Sequence, residues 1–124
     1  MFPQMIAQLP RVLSPLGTLT TALLGLLLLT APTAQAAPFA YTTDSFSSKV
    51  SVLDTATNTL TATVAVGANP LGVAVNPAGT RVYVTSYNLG TVSVLDTASN
   101  AVIDTVAVGV GPRYVTVNPA GTRV

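Results

Sequence analysis

The chain repeats itself, and the repeat constrains its fold more than any other feature. Sliding the sequence by 42 residues lays 41–82 over 83–124 without a gap, and 25 of the 42 positions are identical. The stretch from Val50 to Ala56 falls over the same seven residues at Val92 to Ala98. Val64-Ala65-Val66-Gly67 falls over Val106-Ala107-Val108-Gly109, and Pro70 over Pro112. The octapeptide Val-Asn-Pro-Ala-Gly-Thr-Arg-Val ends both copies, at 75–82 and at 117–124. Such units bury their apolar faces against their neighbours, so the pattern inside one unit decides the fold class.

That pattern is β, not helical. The unit reads as four short strands separated by turn residues: Gly72–Asn76, Arg81–Ser86, Thr91–Asp96 and Ala101–Val108. Asn76-Pro77-Ala78-Gly79 is a turn, with proline setting φ at its second position and glycine free to take positive φ. Asn118, Pro119 and Gly121 repeat it. Apolar residues alternate at Val82 and Val84, Val92 and Val94, Val102, Val106 and Val108. Their neighbours are Thr, Ser and Ala instead of charges, so both faces of the sheet are expected to be covered. Gly72 and Ala74 suit an innermost, crowded strand, although Tyr114 and Thr116 stand at those positions in the second unit. A period near 40 with four strands per unit points to β-propeller blades.

Three stretches carry a specific resemblance: Arg81-Val82-Tyr83-Val84-Thr85-Ser86-Tyr87, Gly90-Thr91-Val92-Ser93-Val94-Leu95-Asp96-Thr97, and Val106-Ala107-Val108-Gly109 with Pro112. They resemble the YVTN-family β-propeller repeat of exported bacterial propellers of the YncE type and of archaeal surface-layer proteins. The resemblance spans 41–124 and implies a seven-bladed propeller of four-stranded antiparallel sheets. Tyr83-Val84-Thr85-Ser86 departs from the family's name motif at its last residue, and Tyr41-Thr42-Thr43-Asp44 departs further. Propellers close with about 4–8 blades, whereas two units are present here. An open pair leaves Val-rich faces and strand edges bare, which favours aggregation. The expectation is therefore a truncated product or N-terminal fragment, completed by further blades or by other chains.

The first 36 residues read differently. Arg11 is their one charge, and the uncharged stretch 16–31 has Leu23-Leu24-Gly25-Leu26-Leu27-Leu28-Leu29 at its centre. Ala34-Gln35-Ala36 follows as a small-x-small cleavage signal. This is the pattern of a secretory signal peptide, expected as a helix and cleaved after Ala36. The alternative is retention as an anchor, but the apolar run is shorter than the roughly 20 residues a span needs. The expected location is the periplasm, the cell envelope or outside the cell, with no stable membrane span after cleavage. From residue 37 onward Asp44, Asp54, Asp96 and Asp104 balance Lys49, Arg81, Arg113 and Arg123. That neutrality argues against nucleic acid as a partner, which calls for clustered Lys and Arg.

Chemistry has few candidates. The chain contains no His and no Cys, which removes the commonest general base, the commonest metal ligands and the Cys nucleophile. Lys49, the one lysine, stands beside Ser48 and Ser51 without another catalytic group, and reads as a solvated strand-edge charge. Asp54 with Asn58, and Asp96 with Asn100, offer oxygen donors but one carboxylate per turn. Closing their own turns by side-chain to backbone hydrogen bonds accounts for them. Arg113 stands out because its counterpart in the first unit is Leu71. The up-down strand order puts 87–90 and 109–113 at one end of the sheet, so Tyr87, Asn88, Arg113 and Tyr114 form the candidate ligand-facing cluster. The reading is a non-enzymatic exported binding or scaffold module with an unknown ligand or protein partner and no cofactor. The alternative is part of a propeller enzyme, lactonase-like or quinoprotein-like, with its catalytic residues in other blades.

Overall fold

The computed structural model describes residues 38–124; the expected signal peptide 1–36 and its cleavage site lie outside the described residues. Seven strands follow in order: β1 (Phe39–Asp44), β2 (Lys49–Asp54), β3 (Thr59–Ala65), β4 (Pro70–Val75), β5 (Arg81–Ser86), β6 (Thr91–Asp96) and β7 (Ala101–Ala107). They form a three-stranded sheet β1-β2-β3 and a four-stranded sheet β4-β5-β6-β7, with every neighbouring pair antiparallel. β5 and β6 have the bounds read from the sequence. β4 starts earlier, at Pro70, with a register shift between Pro70 and Val73. Proline is tolerated at the first residue of a strand, where no ladder donor is lost. β7 ends at Ala107, one residue before the expected Val108.

Short side chains make the corners. Asp44 Oδ1 accepts from the backbone N–H groups of Phe46 and Ser47 at 3.0 and 3.1 Å. Asp54 Oδ1 accepts from Ala56 and Thr57 at 2.7 and 3.2 Å, and Asp96 Oδ2 from Ser99 at 2.9 Å. Asn58 and Asn100 close these turns at φ 54° and 51°, a region that Asn tolerates better than most residues. At the β4–β5 corner Asn76 Oδ1 takes the N–H groups of Thr80 and Arg81 at 2.8 and 2.9 Å. Asn118 repeats both bonds with Thr122 and Arg123 at 2.8 and 2.9 Å. Gly79 and Gly121 both take φ 69°.

Ser48 occupies the left-handed region at φ 56°, where its counterpart Gly90 sits at φ 65°. A side chain there costs roughly 1–2 kcal/mol. Ser48→Gly is therefore expected to raise stability by about 0.5–1 kcal/mol once the entropy of the freer unfolded chain is subtracted. Urea denaturation would report it as a higher midpoint at unchanged slope.

The core lies between the two sheets. Val50, Val52 and Val64 of the first meet Val82, Val84 and Leu95 of the second, all buried, with Phe39, Tyr41, Ala62, Val66 and Val73 packed around them. Leu95 is 1% exposed and is the one leucine among these buried residues. Here one expectation changes. The second sheet buries one face only; the other carries Tyr83, Val92, Val94 and Val106 into an open groove of about 600 Å³. Residues 112–116 cover it in part, and β7 is exposed along its whole length. A face is covered when a neighbouring sheet lies on it, and among the described residues the second sheet has one such neighbour.

Gly72 shows why the innermost strand must be small. A Cβ there would stand 2.7 Å from the carbonyl oxygen of Arg113 and 3.0 Å from Cα of Tyr114. The segment after β7 thus comes directly against β4.

Candidate functional site

The end of the second sheet after β5 and β7 is built by hydrogen bonds. Tyr87 N–H donates to the Asn69 carbonyl at 3.0 Å, Gly90 N–H to Ser86 at 3.0 Å, and Val108 N–H to Gly90 at 2.9 Å. The 87–90 and 109–113 loops therefore meet, as the strand order implies. Gly90 and Gly109 approach so closely that a Cβ on Gly90 would lie 2.6 Å from the Gly109 carbonyl oxygen. Gly111, at φ 66°, lies against the Tyr87 ring, which a Cβ would approach to 3.0 Å. A side chain at Gly111 would press on the ring and strain the backbone.

Arg113 then stacks its guanidinium over Tyr87, 5.1 Å from the ring centroid, within the range of an attractive cation–π contact. Asn88 offers its Oδ1 to Asn69 Nδ2 at 3.5 Å, the long limit of a hydrogen bond. Beside them a shallow depression of about 330 Å³ is floored by Leu89, Gly90, Gly109 and Val110. Tyr114 does not join this rim. It is 90% exposed and lines the groove on the open face of the sheet. Successive residues of an extended segment point to opposite sides, which separates Tyr114 from Arg113. The structure thus brings Tyr87, Asn88 and Arg113 together and leaves Tyr114 elsewhere.

The other singled-out residues sit in the framework. Asn76, Pro77 and Gly79, and Asn118, Pro119 and Gly121, form the two corners described above. Asp54 closes the β2–β3 turn. Asp96 closes β6–β7 and also pairs with Arg81 across β5 and β6. That pair is partly exposed and screened by water, so its contribution to stability is small. Lys49 is exposed at the start of β2, opposite Asp44. Among the described residues no group of three acidic, His or Cys side chains could hold a metal ion. No described helix is long and apolar enough to cross a membrane.

Hydrogen bonds from Ser99 backbone and side chain, with the Arg81 charge behind them, hold the Asp96 carboxyl below its ordinary range. Ser47 does the same for Asp44. A depressed folded pKa means stability that is present above the unfolded carboxylate value, near 4, and lost as pH falls through the lower folded value. Acid titration of stability is expected to be flat above about pH 5 and to fall below pH 4. Asp96→Asn should flatten part of that fall; an unchanged acid limb would rule out its contribution.

Two residues escaped the sequence reading. Thr43 Oγ1 donates to the Leu71 carbonyl at 3.1 Å, and Thr85 Oγ1 lies 3.4 Å from the Arg113 carbonyl it can donate to. Each fastens its sheet to the innermost segment of the next unit. The signal was available: threonine is kept at this position in both copies although the residues on either side change.

No family model matches the chain, and no curated protein does. Solved structures do. Hydrazine synthase of Kuenenia stuttgartiensis superposes with a TM-score of 0.66 at 25% identity over 74% of this chain and 29% of its own. The dihydro-heme d1 dehydrogenase NirN in complex with DHE gives 0.62 at 24%, over 76% and 21%. A protein of unknown function from Desulfotomaculum acetoxidans gives 0.63 at 17%, over 74% and 32%. These are β-propeller-type structures, and the antiparallel sheets packed face to face place this chain in that fold class. The chain spans less than a third of each of them.

Proposed function

We propose that the chain is a non-enzymatic binding or scaffold module of the β-propeller type, exported to the periplasm or cell envelope, with YVTN-type repeats. The observation that carries the binding role is Arg113 stacked on Tyr87 at an exposed rim beside Asn88. A cation, a flat ring and an amide at one place suit a ligand with an anionic group and a flat or ring-shaped face, bound by stacking and charge-assisted hydrogen bonds. The absence of His and Cys from the sequence supports a role without chemistry. The alternative, part of a propeller enzyme, draws on the two similar structures named for enzymes.

The test is equilibrium binding of the full chain to a panel of anionic and neutral oligosaccharides and nucleotides. Arg113→Ala and Tyr87→Ala are each expected to weaken the best ligand by tenfold or more, the loss of roughly 1.4 kcal/mol. Binding that is indifferent to both substitutions sinks the assignment of the rim. A gel shift with single-stranded DNA should show no binding at moderate salt. For export, N-terminal sequencing of the envelope fraction should read from Ala37, and intact Met1 confined to the cytosol would overturn it.

A further inference from the structure

We infer that one end of the module docks on an anionic lipid surface, inserting the apolar tips of its loops. The four loops concerned form a single end. Val66 N–H donates to the Ser48 carbonyl at 3.0 Å, Tyr87 N–H to that of Asn69 at 3.0 Å, and Val108 N–H to that of Gly90 at 2.9 Å. The β1–β2 turn, the β3–β4 connection, the β5–β6 turn and the segment after β7 are thus tied side by side. Three of these loops carry Phe46, Leu89 and Val110; Phe46 and Val110 are fully exposed, and Leu89 more than half. The opposite end differs. Its turns at 55–58, 76–80 and 97–100 consist of Thr, Ala, Ser, Asn, Pro and Gly, without one large apolar residue.

The backbone holds these residues in place. Asp44 Oδ1 takes the N–H groups of Phe46 and Ser47, and Ser48 follows at φ 56°. Leu89 stands directly before Gly90 at φ 65°, and Val110 between Gly109 and Gly111 at φ 112° and 66°. Side chains already fixed in position lose little further freedom on docking. The repeat shows that folding does not prescribe them. At the opposite end, 54–58 and 96–100 differ at one position, whereas 45–48 and 87–90 share no residue. The two turns nevertheless both expose a large apolar side chain, Phe46 in the first and Leu89 in the second.

Exposed apolar side chains gathered on one side of a molecule mark a protein or a membrane contact, and these favour a membrane. They stand on separate loops, so a protein partner would need a matching pocket for each, whereas an acyl interface yields to any shape. Charge points the same way. At this end Lys49 and Arg113 stand with one carboxylate, Asp44. At the other, Arg81 and Arg123 balance Asp54 and Asp96, while Asp104 lies midway along β7. Binding to a lipid interface grows with the apolar area inserted and with attraction of cations to anionic headgroups. The end with apolar tips is thus also the end with surplus positive charge. Arg113 is shared with the proposed ligand rim, but the tips carry the docking.

The cysteine-free sequence makes a site-specific test possible. The variants Phe46→Cys, Val110→Cys, Ala78→Cys and Ala98→Cys, each in the full chain, take an environment-sensitive nitrobenzoxadiazole label. All four positions are exposed, so the fold is kept, which circular dichroism checks. With vesicles of phosphatidylethanolamine and phosphatidylglycerol in equal parts, emission at 46 and 110 should rise several-fold and be quenched by spin-labelled acyl chains. At 78 and 98 it should stay at its value in water. All four chains share residues 16–31, so recruitment by that apolar stretch alone gives no difference between the two ends and overturns the proposal. Phosphatidylcholine vesicles should give a several-fold smaller response; an equal one overturns the anionic lipid as the occupant. Labels at 46 and 110 that stay in water with both vesicles, the result expected of tips seated in a protein partner, overturn it as well. Phe46→Ser should weaken the response at 110 several-fold while soluble ligands at Arg113 bind as before, so docking can fail while the rim stands.

Discussion

Leu95→Ala is expected to cost about 2–5 kcal/mol, the usual range for emptying a buried leucine site. Leu95 reaches from β6 into the layer between the sheets, among Val50, Val52, Val82 and Val84. Those neighbours are β-branched and held by two ladders, so they cannot collapse into the cavity. Domain stability is about 5–15 kcal/mol, so the loss removes a large share of it. With a urea slope of roughly 1–3 kcal/mol/M, the midpoint should fall by about 0.7 M or more. Ile103→Ala is the control. Ile103 is 51% exposed on β7 and should cost well under half as much. Equal losses at both positions would show that the layer between the sheets is not the core.

Gly90→Ala is the second large effect, and its origin is the backbone. At φ 65° an alanine pays roughly 1–2 kcal/mol for the left-handed conformation. Its Cβ would also lie 2.6 Å from the Gly109 carbonyl oxygen, an atom of the main chain that cannot rotate away. The two loops must separate, and the Val108 to Gly90 hydrogen bond at 2.9 Å is lost with them. A loss of about 3 kcal/mol or more is expected from these combined terms. Because the same movement lifts Gly111 from the Tyr87 ring, the proposed binding at Arg113 should weaken in parallel. Gly109→Ala, with nothing within 4 Å of its Cβ, should cost only its backbone conformation. If the two glycines behave alike, the close approach is not what constrains Gly90.

Strands were legible wherever local chemistry sets them. The Asn76-Pro77-Ala78-Gly79 corner and the aspartates at 54 and 96 mark ends that the backbone must obey, so β5 and β6 start and stop where they read. The start of β4 was less legible, because a proline argues against a ladder, yet the first rung sits ahead of a register shift that spares its missing donor. In the site, the meeting of the 87–90 and 109–113 loops follows from strand order alone. Arg113 over Tyr87 needed more: the loop lies close on the ring at Gly111, where a Cβ would approach it to 3.0 Å. Tyr114 was misplaced because adjacency in sequence says nothing about which side of an extended segment a residue takes.

The repeat alone dictates four-stranded β units, their turns and their alternating faces, since each of these depends on neighbours a few residues apart or on a period of 42. Which of those faces is buried is a matter of what lies across from it. Val52 and Val94 hold the same place in their units, yet Val52 is 1% exposed while Val94 lines an open groove. The difference is that, among the described residues, a sheet lies across from Val52 and none from Val94, a long-range contact that identical local sequences cannot encode.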